Sequence, residues 1–254
     1  MHALIRVDAA RLSAPARQRT VIDPARLTPS ARRQLTDALY ACHRRIFAGV
    51  DREAFARYVV ESPAAWTRIF VQTDGAGEIR GYAAFHVYDV EHDGRSMAVV
   101  RMEAGFEPAW RRGTVYGRFA TACFARARLY AGRRPLYFVC SPVHPSSFVA
   151  LSRVAPQRWI VPEAGPATRR FMLALARTLG MRSIGEGIYA VGWITRHGPA
   201  PRRISPEAAT YIAANPGYGE GHGLLTVVPV TAGGILRGLG RLLARRLRRR
   251  PSAR

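Results

Sequence analysis

Three runs in the middle of the chain decide the fold: Trp66–Thr73 (WTRIFVQT), Ile79–Tyr88 (IRGYAAFHVY) and Met97–Gly105 (MAVVRMEAG). Each is rich in β-branched and aromatic residues, and each is bounded by turn-forming residues, Asp74–Glu78 (DGAGE) on one side and Asp89–Arg95 (DVEHDGR) on the other. They read as three strands, the first two an antiparallel pair. The period then changes. Gly113–Tyr130 (GTVYGRFATACFARARLY) reads as a helix, Leu136–Cys140 (LYFVC) as a short buried strand, and Ser141–Pro145 (SPVHP) as a bend that Ser146-Ser147 close by capping another helix.

Upstream, residues 1–28 mix short apolar pieces with Pro and Arg and read as an irregular lead-in. Thr28-Pro29 is an N-cap followed by proline at the first helical position, so a helix is expected to about Ala48, ended by Gly49. A shorter one is expected over Asp51–Glu61. Downstream, helices are expected at Ala167–Leu179 and after Ser205-Pro206, and strands at Ile188–Thr195 and Leu224–Val230. The organisation read from this is a lead-in (1–28), a main domain (29–195), an extension packed on it (196–230) and an Arg-rich tail (231–254).

Charge is the unusual property. Thirty-nine basic residues stand against seventeen acidic ones in 254, a net charge of +22, and all of the basic residues are arginine. A positive surface concentrates phosphates, anionic lipid or an acidic protein. A GC-rich coding bias gives the same excess without a ligand. The absence of lysine excludes Schiff-base, Walker-type and kinase-type lysine chemistry. Three scattered cysteines, Cys42, Cys123 and Cys140, give neither a disulfide framework nor paired zinc spacing, so no metal is expected. Early charge at the N-terminus and the lack of an apolar run of roughly 20 residues point to a cytoplasmic chain.

Helix, helix, three strands, helix, strand, helix is an order similar to the core of the GNAT superfamily of acyl-CoA N-acyltransferases. Glu107–Gly117 (EPAWRRGTVYG) resembles that family's junction, in which an aromatic-Arg stretch leads into a glycine-containing turn. The resemblance spans roughly residues 30–155. It implies an α/β (α+β) fold, a mixed and mainly antiparallel sheet flanked by helices, with the strand of Glu103 and the strand of Leu136 splaying apart beside Gly113. It also implies acyl transfer from a thioester donor, acyl-CoA or an acyl carrier protein (acyl-ACP), to an amine or similar acceptor, small or lipid-like. The donor's phosphates would meet Arg111, Arg112, Gly113, Thr114, Val115 and Gly117, because amides opening a helix and its dipole hold anions without lysine. Thr114 and Tyr116 stand where the family pattern has glycines, which crowds that turn.

Glu103 is the carboxylate at the family's base position, with an ion pair to Arg101 as its alternative use. His86, on the neighbouring strand, is a second candidate base or a packing residue. The family's acidic tyrosine aligns with Ser152, which leaves the thiolate without its usual proton donor; His144, in the bend, is a substitute. A Cys140/His144 nucleophile pair is a further option.

In Ile235–Arg250, Ile235, Leu236, Leu239, Leu242, Leu243 and Leu247 share one helical face and Arg237, Arg241, Arg245 and Arg248 the other, with no acid after Glu220. Such a basic amphipathic helix either lies on an anionic membrane, making the protein peripheral, or docks on the domain. Two other functions stay open: an inactive GNAT-like scaffold for a membrane or partner protein, and nucleic-acid binding, for which no known motif is present.

Overall fold

The computed structural model describes residues 18–111, 115–155, 157–196 and 204–247. A seven-stranded sheet organises them. Its strands are β1 (Gln18–Ile22), β2 (Trp66–Thr73), β3 (Ile79–His92), β4 (Arg95–Phe106), β5 (Leu136–Cys140), β6 (Trp159–Ile160) and β7 (Thr226–Pro229). They lie in the order β1-β2-β3-β4-β5-β7-β6, and only the β4–β5 pair is parallel. The antiparallel trio, the crossover helix α3 (Val115–Ala131) and the parallel partner strand are the core that the GNAT resemblance implies.

Local chemistry fixes the elements. Helix α1 (Pro29–Ile46) is capped by Thr28, whose hydroxyl accepts from the Ala31 amide. Asp51 caps α2 (Arg52–Val59) in the same way through Ala54. The β3–β4 connection is tighter than the loop expected over residues 89–95. Asp93 and Gly94 both take positive φ, 48° and 70°, so the strands run on to a two-residue turn of the twisted hairpin type. Gly49 is left-handed as expected (φ 92°) but does not end α1, because Phe47 is already extended and pairs, with Ala48, to Ile194–Thr195.

Two expectations about organisation change. Within the stretch read as irregular lead-in, Gln18–Ile22 pairs antiparallel with β2, from Gln18 opposite Thr73 to Ile22 opposite Ile69. Its side chains are mostly exposed, so no apolar alternation marked it. The stretch 196–230, read as an extension packed on the domain, supplies β7 to the sheet itself, between β5 and β6. The expected strand Ile188–Thr195 is two short pieces, Ile188–Ala190 and Ile194–Thr195, parted at Gly192, whose φ is 76°.

Alternation along β3 and β4 sorts the core onto two faces. Tyr82 and Ala84 pack with Leu39, Cys42, Phe55 and Val59 of α1 and α2. Phe85 and Val100 pack with Phe119, Cys123 and Ala127 of α3 on the other face. Each fully buried large side chain contributes about 1.5–3 kcal/mol relative to exposure. A third cluster joins Val139 and Val227 to Met172 and Leu175 of the helix Pro166–Thr178, here α5.

Helix α4 (Pro145–Val154) follows β5, α6 (Pro206–Ala214) precedes β7, and α7 (Ala232–Leu247) packs beside α3. The first turns of α7 therefore dock on the domain. Side chains from Arg241 onward, where most of the basic face expected for 235–250 falls, lie outside the described set. Among the described residues no helix is long and apolar enough to cross a membrane.

Candidate active site

Strands β4 and β5 are hydrogen-bonded neighbours only at Ala98–Leu136, Val99–Tyr137 and Val100–Phe138. Beyond these pairs β4 continues six residues to Phe106 while β5 ends at Cys140, and the two part. The expected opening is present. It holds a cleft of about 790 Å³ whose walls include both strands, the start of α3, α4 and the first turns of α7.

Because side chains alternate on β4, this one cleft is reached from both faces of the sheet. Arg101, Glu103 and Gly105 line it from the α1 side, and Met102, Ala104 and Phe106 from the α3 side. A group lying between the strands is therefore within reach of reagents from two directions.

Glu103 stands opposite Ala84, and His86 opposite Arg101, so the three polar residues share a face. Glu103 Oε2 lies 3.1 Å from His86 Nε2, and Glu103 Oε1 lies 3.4 Å from Arg101 Nη2. The carboxylate is 11 % exposed and borders the cleft. It thus borders the cleft and makes the ion pair with Arg101 that was its alternative use. His86 corrects the expectation of a second direct base. It is wholly buried, does not border the cleft, and its Nδ1 is 2.9 Å from Thr67 Oγ1. Its place is behind Glu103. His86 Nε2 and Glu103 Oε2 have no partner in hydrogen-bond alignment despite their approach.

His144 also has a different structural use. It, and not Ser146-Ser147, caps α4: its Nδ1 accepts from the Ser146 amide at 3.2 Å and lies 2.8 Å from Ser146 Oγ. Burial, aided by the nearby Arg111 charge, lowers its pKa. An amide can only donate, so Nδ1 accepts and the neutral ring carries its proton on Nε2. His144 lines the cleft as a hydrogen-bond donor rather than as a base.

Cys140 is inert. Its thiol is 3.8 Å from the Thr226 carbonyl, and burial pushes its pKa up to about 12, with Arg101 opposing and Glu103 reinforcing the shift. The Cys140/His144 pair has no thiolate and no base. Ser152, at the position aligned with the family's acid, spends its hydroxyl on the Phe148 carbonyl of its own helix at 2.8 Å.

A cleft residue that sequence reasoning did not single out for its hydroxyl is Tyr116, which stands at a glycine position of the family pattern. In the first turn of α3 its ring meets Phe106 edge-on at 5.7 Å and lines the cleft. The ring is 36 % exposed because the cleft is open. Desolvation, with Cys140 and Glu103 close by, raises its pKa above the ordinary tyrosine value. No spacing rule marks such a residue; only the crossing of α3 over the opening does.

Arg111 borders the cleft mouth and anchors its guanidinium through Nε to the Phe106 carbonyl at 3.0 Å. Gly117 lines the cleft, and Val115 opens α3. Arg112, Gly113 and Thr114, the heart of the expected phosphate turn, lie outside the described residues.

The far wall depends on the C-terminal part of the chain. Tyr211 of α6 donates to the Pro142 carbonyl at 2.8 Å, and Asn215 Nδ2 donates to Tyr211 Oη at 3.0 Å and to the His222 carbonyl at 2.9 Å. Gly223 sits so near Ser141 that a Cβ there would lie 2.7 Å from its Cβ and its carbonyl oxygen. Ser141 Oγ, buried at the cleft wall, has no partner. Among the described residues no cluster of His, Cys, Asp or Glu is placed to hold a metal ion.

No family model matches the chain, and no curated protein does. Among solved structures, the chain is similar to a GNAT-family acetyltransferase from Streptococcus pneumoniae, at TM-score 0.41 and 9 % identity over 84 % of this chain and all of that one. It is similar to Arabidopsis thaliana NAA60 in complex with acetyl-CoA, at TM-score 0.38 and 12 % identity over 84 % and 99 % of the two chains. It is also similar to a GCN5-related N-acetyltransferase from Kribbella flavida, at TM-score 0.38 and 13 % identity over 83 % and 97 %.

Proposed function

We propose that the chain transfers an acyl group from an anionic thioester, acyl-CoA or acyl carrier protein, to an amine or similar nucleophile by direct attack within the cleft. The observation that carries this is the parting of β4 and β5 beyond Val100 and Phe138, with Glu103 on one side of the opening and Tyr116 and the start of α3 on the other. A slender pantetheine arm fits such an opening, and a closed ladder would leave it no path.

The donor enters from the α3 face. Its phosphates meet Arg111 and the first turn of α3, where amides lack intrahelical partners. The acceptor enters from the α1 face, where Glu103 takes a proton from its nitrogen as that atom attacks the thioester carbon. The carbonyl oxygen becomes an oxyanion, and the His144 Nε2–H is a donor near its path. Collapse breaks the carbon–sulfur bond. Tyr116 gives its phenolic proton to the departing thiolate and regains one from solvent. Arg101 holds Glu103, and the buried His86–Thr67 pair stands behind the carboxylate.

The test is acceptor-dependent release of free thiol from acyl-CoA across a panel of amines. Arg111→Ala should raise the donor KM, and Glu103→Gln should lower kcat. Release that is absent with every donor and acceptor, or unchanged in both variants, contradicts the proposal.

A further inference from the structure

We propose that the closed end of the cleft, on the α3 face, receives the hydrocarbon chain of a medium- or long-chain acyl donor. This rests on the thioester-donor reading and adds the class of acyl group.

The register gives the cleft a direction. Its mouth lies where β4 ends, at Phe106 and Arg111, and its closed end where the β4–β5 ladder begins, at Val100 and Phe138. A donor with its phosphates at the mouth places the carbon beyond its thioester toward the closed end. There Val228 stands beside Phe138 in register, and the Val230 amide bonds the Leu136 carbonyl at 2.8 Å. With Phe124 of α3 and Ile235 of α7, these side chains give the closed end an apolar lining. Phe124 is fixed edge-on against Phe85 at 5.0 Å and Phe138 at 5.4 Å, so the wall is rigid. A two-carbon acyl group would leave most of this lining uncovered, whereas a chain of eight or more carbons covers it.

Helix α7 supports the same occupant. Gly234 and Gly238 both border the cleft, one helical turn apart. Glycine weakens a helix interior relative to alanine. At Gly238 no close backbone contact offsets that weakness, since an added Cβ there would meet nothing within 4 Å. Gly238 borders the cleft, and a larger side chain there has room to extend. Among the described residues, Arg237 is the charged side chain that α7 adds to the lining.

The test uses the full chain and acyl-CoAs from acetyl to octanoyl, below micelle-forming concentrations, because the CoA phosphates occupy the mouth and fix the direction of the acyl chain. Calorimetric Kd values should tighten with length, by up to about fourfold per methylene buried, and at least thirtyfold from acetyl to octanoyl. Gly238→Leu and Gly238→Phe should remove the gain for octanoyl while leaving the acetyl Kd within twofold. Their melting temperatures should be equal or higher, because the helix is strengthened. A Kd independent of length, with binding present, overturns the hydrocarbon site and leaves the donor reading standing. A length dependence untouched in folded Gly238→Phe overturns the assignment to this end of the cleft. No binding of any thioester overturns both. If the variants unfold, the wild-type length series decides alone.

Discussion

Glu103 Oε2 lies 3.1 Å from the Nε2 of a wholly buried histidine, His86, whose other ring nitrogen is 2.9 Å from Thr67 Oγ1. A cleft-facing carboxylate is thus backed by a ring that solvent does not reach. Glu103→Gln keeps the shape and removes the proton acceptor. Turnover should fall by about 10²–10⁴, with donor affinity within threefold of wild type. Steady-state kinetics paired with calorimetry separates the two effects.

His86→Phe tests the support rather than the base. It leaves Glu103 in the cleft without the ring nitrogen behind it, so kcat should fall by roughly tenfold, in the range of a positioning loss. The donor KM should stay within threefold, because the ring does not border the cleft. A normal kcat would reduce His86 to a packing residue.

Tyr116→Phe removes the hydroxyl next to Cys140 and Glu103. Tyr116 is protonated at neutral pH and lines the cleft where the thiolate would depart; desolvation raises its pKa and so weakens it as an acid, and its contribution rests on position. The variant should lose about 10²-fold in kcat, and less with donors whose thiol is more acidic. Equal losses for all leaving groups would contradict this role.

His43 gives a stability prediction independent of catalysis. Its Nδ1 is 2.8 Å from the Tyr82 hydroxyl, within a ring cluster that includes Phe55 and Trp193, and burial lowers its pKa to about 4 from an ordinary 6.5. The unfolded chain binds a proton between these values and the folded chain does not, so stability is complete above pH 6.5 and is lost as pH falls toward 4. The loss is about 3 kcal/mol in all, at 1.36 kcal/mol per pH unit. His43→Phe should flatten that part of the urea-denaturation profile, and an unchanged slope would contradict it.

Gly223→Ala presses a methyl group against Ser141 and its carbonyl. It should cost about 1–3 kcal/mol of stability and raise the donor KM, because the Ser141–His144 bend is a cleft wall. Circular-dichroism melts and the donor titration measure the two.

The central strands, the capped helices and the opening beside the Glu107–Gly117 junction were legible because each carries a local signature: alternation, a side-chain cap, or an aromatic-Arg-Gly sequence. Thr28 and Ser205 cap the helices expected after them, and Asp51, expected as the first residue of its helix, is the cap of α2. What stayed hidden depends on partners far away in the chain. Gln18–Ile22 is a strand only because β2 offers an edge, and Thr226–Pro229 enters the sheet only because β5 and β6 leave a place between them. His86 was visible as a residue but not as a buried one, and the bulk of Tyr116 drew attention away from its hydroxyl. The cap at His144 was assigned two residues late because serine is the commoner capping residue.

The central claim is that a thioester donor lies between β4 and β5. Calorimetric titration of a non-reactive acyl-CoA thioether into the wild type and into Ala120→Trp, which fills the cleft from α3 while every candidate acid and base is kept in the sequence, tests it most directly. The expected result is 1:1 binding by the wild type, lost in a variant that melts normally. No heat with the wild type, or equal binding by both, would contradict it.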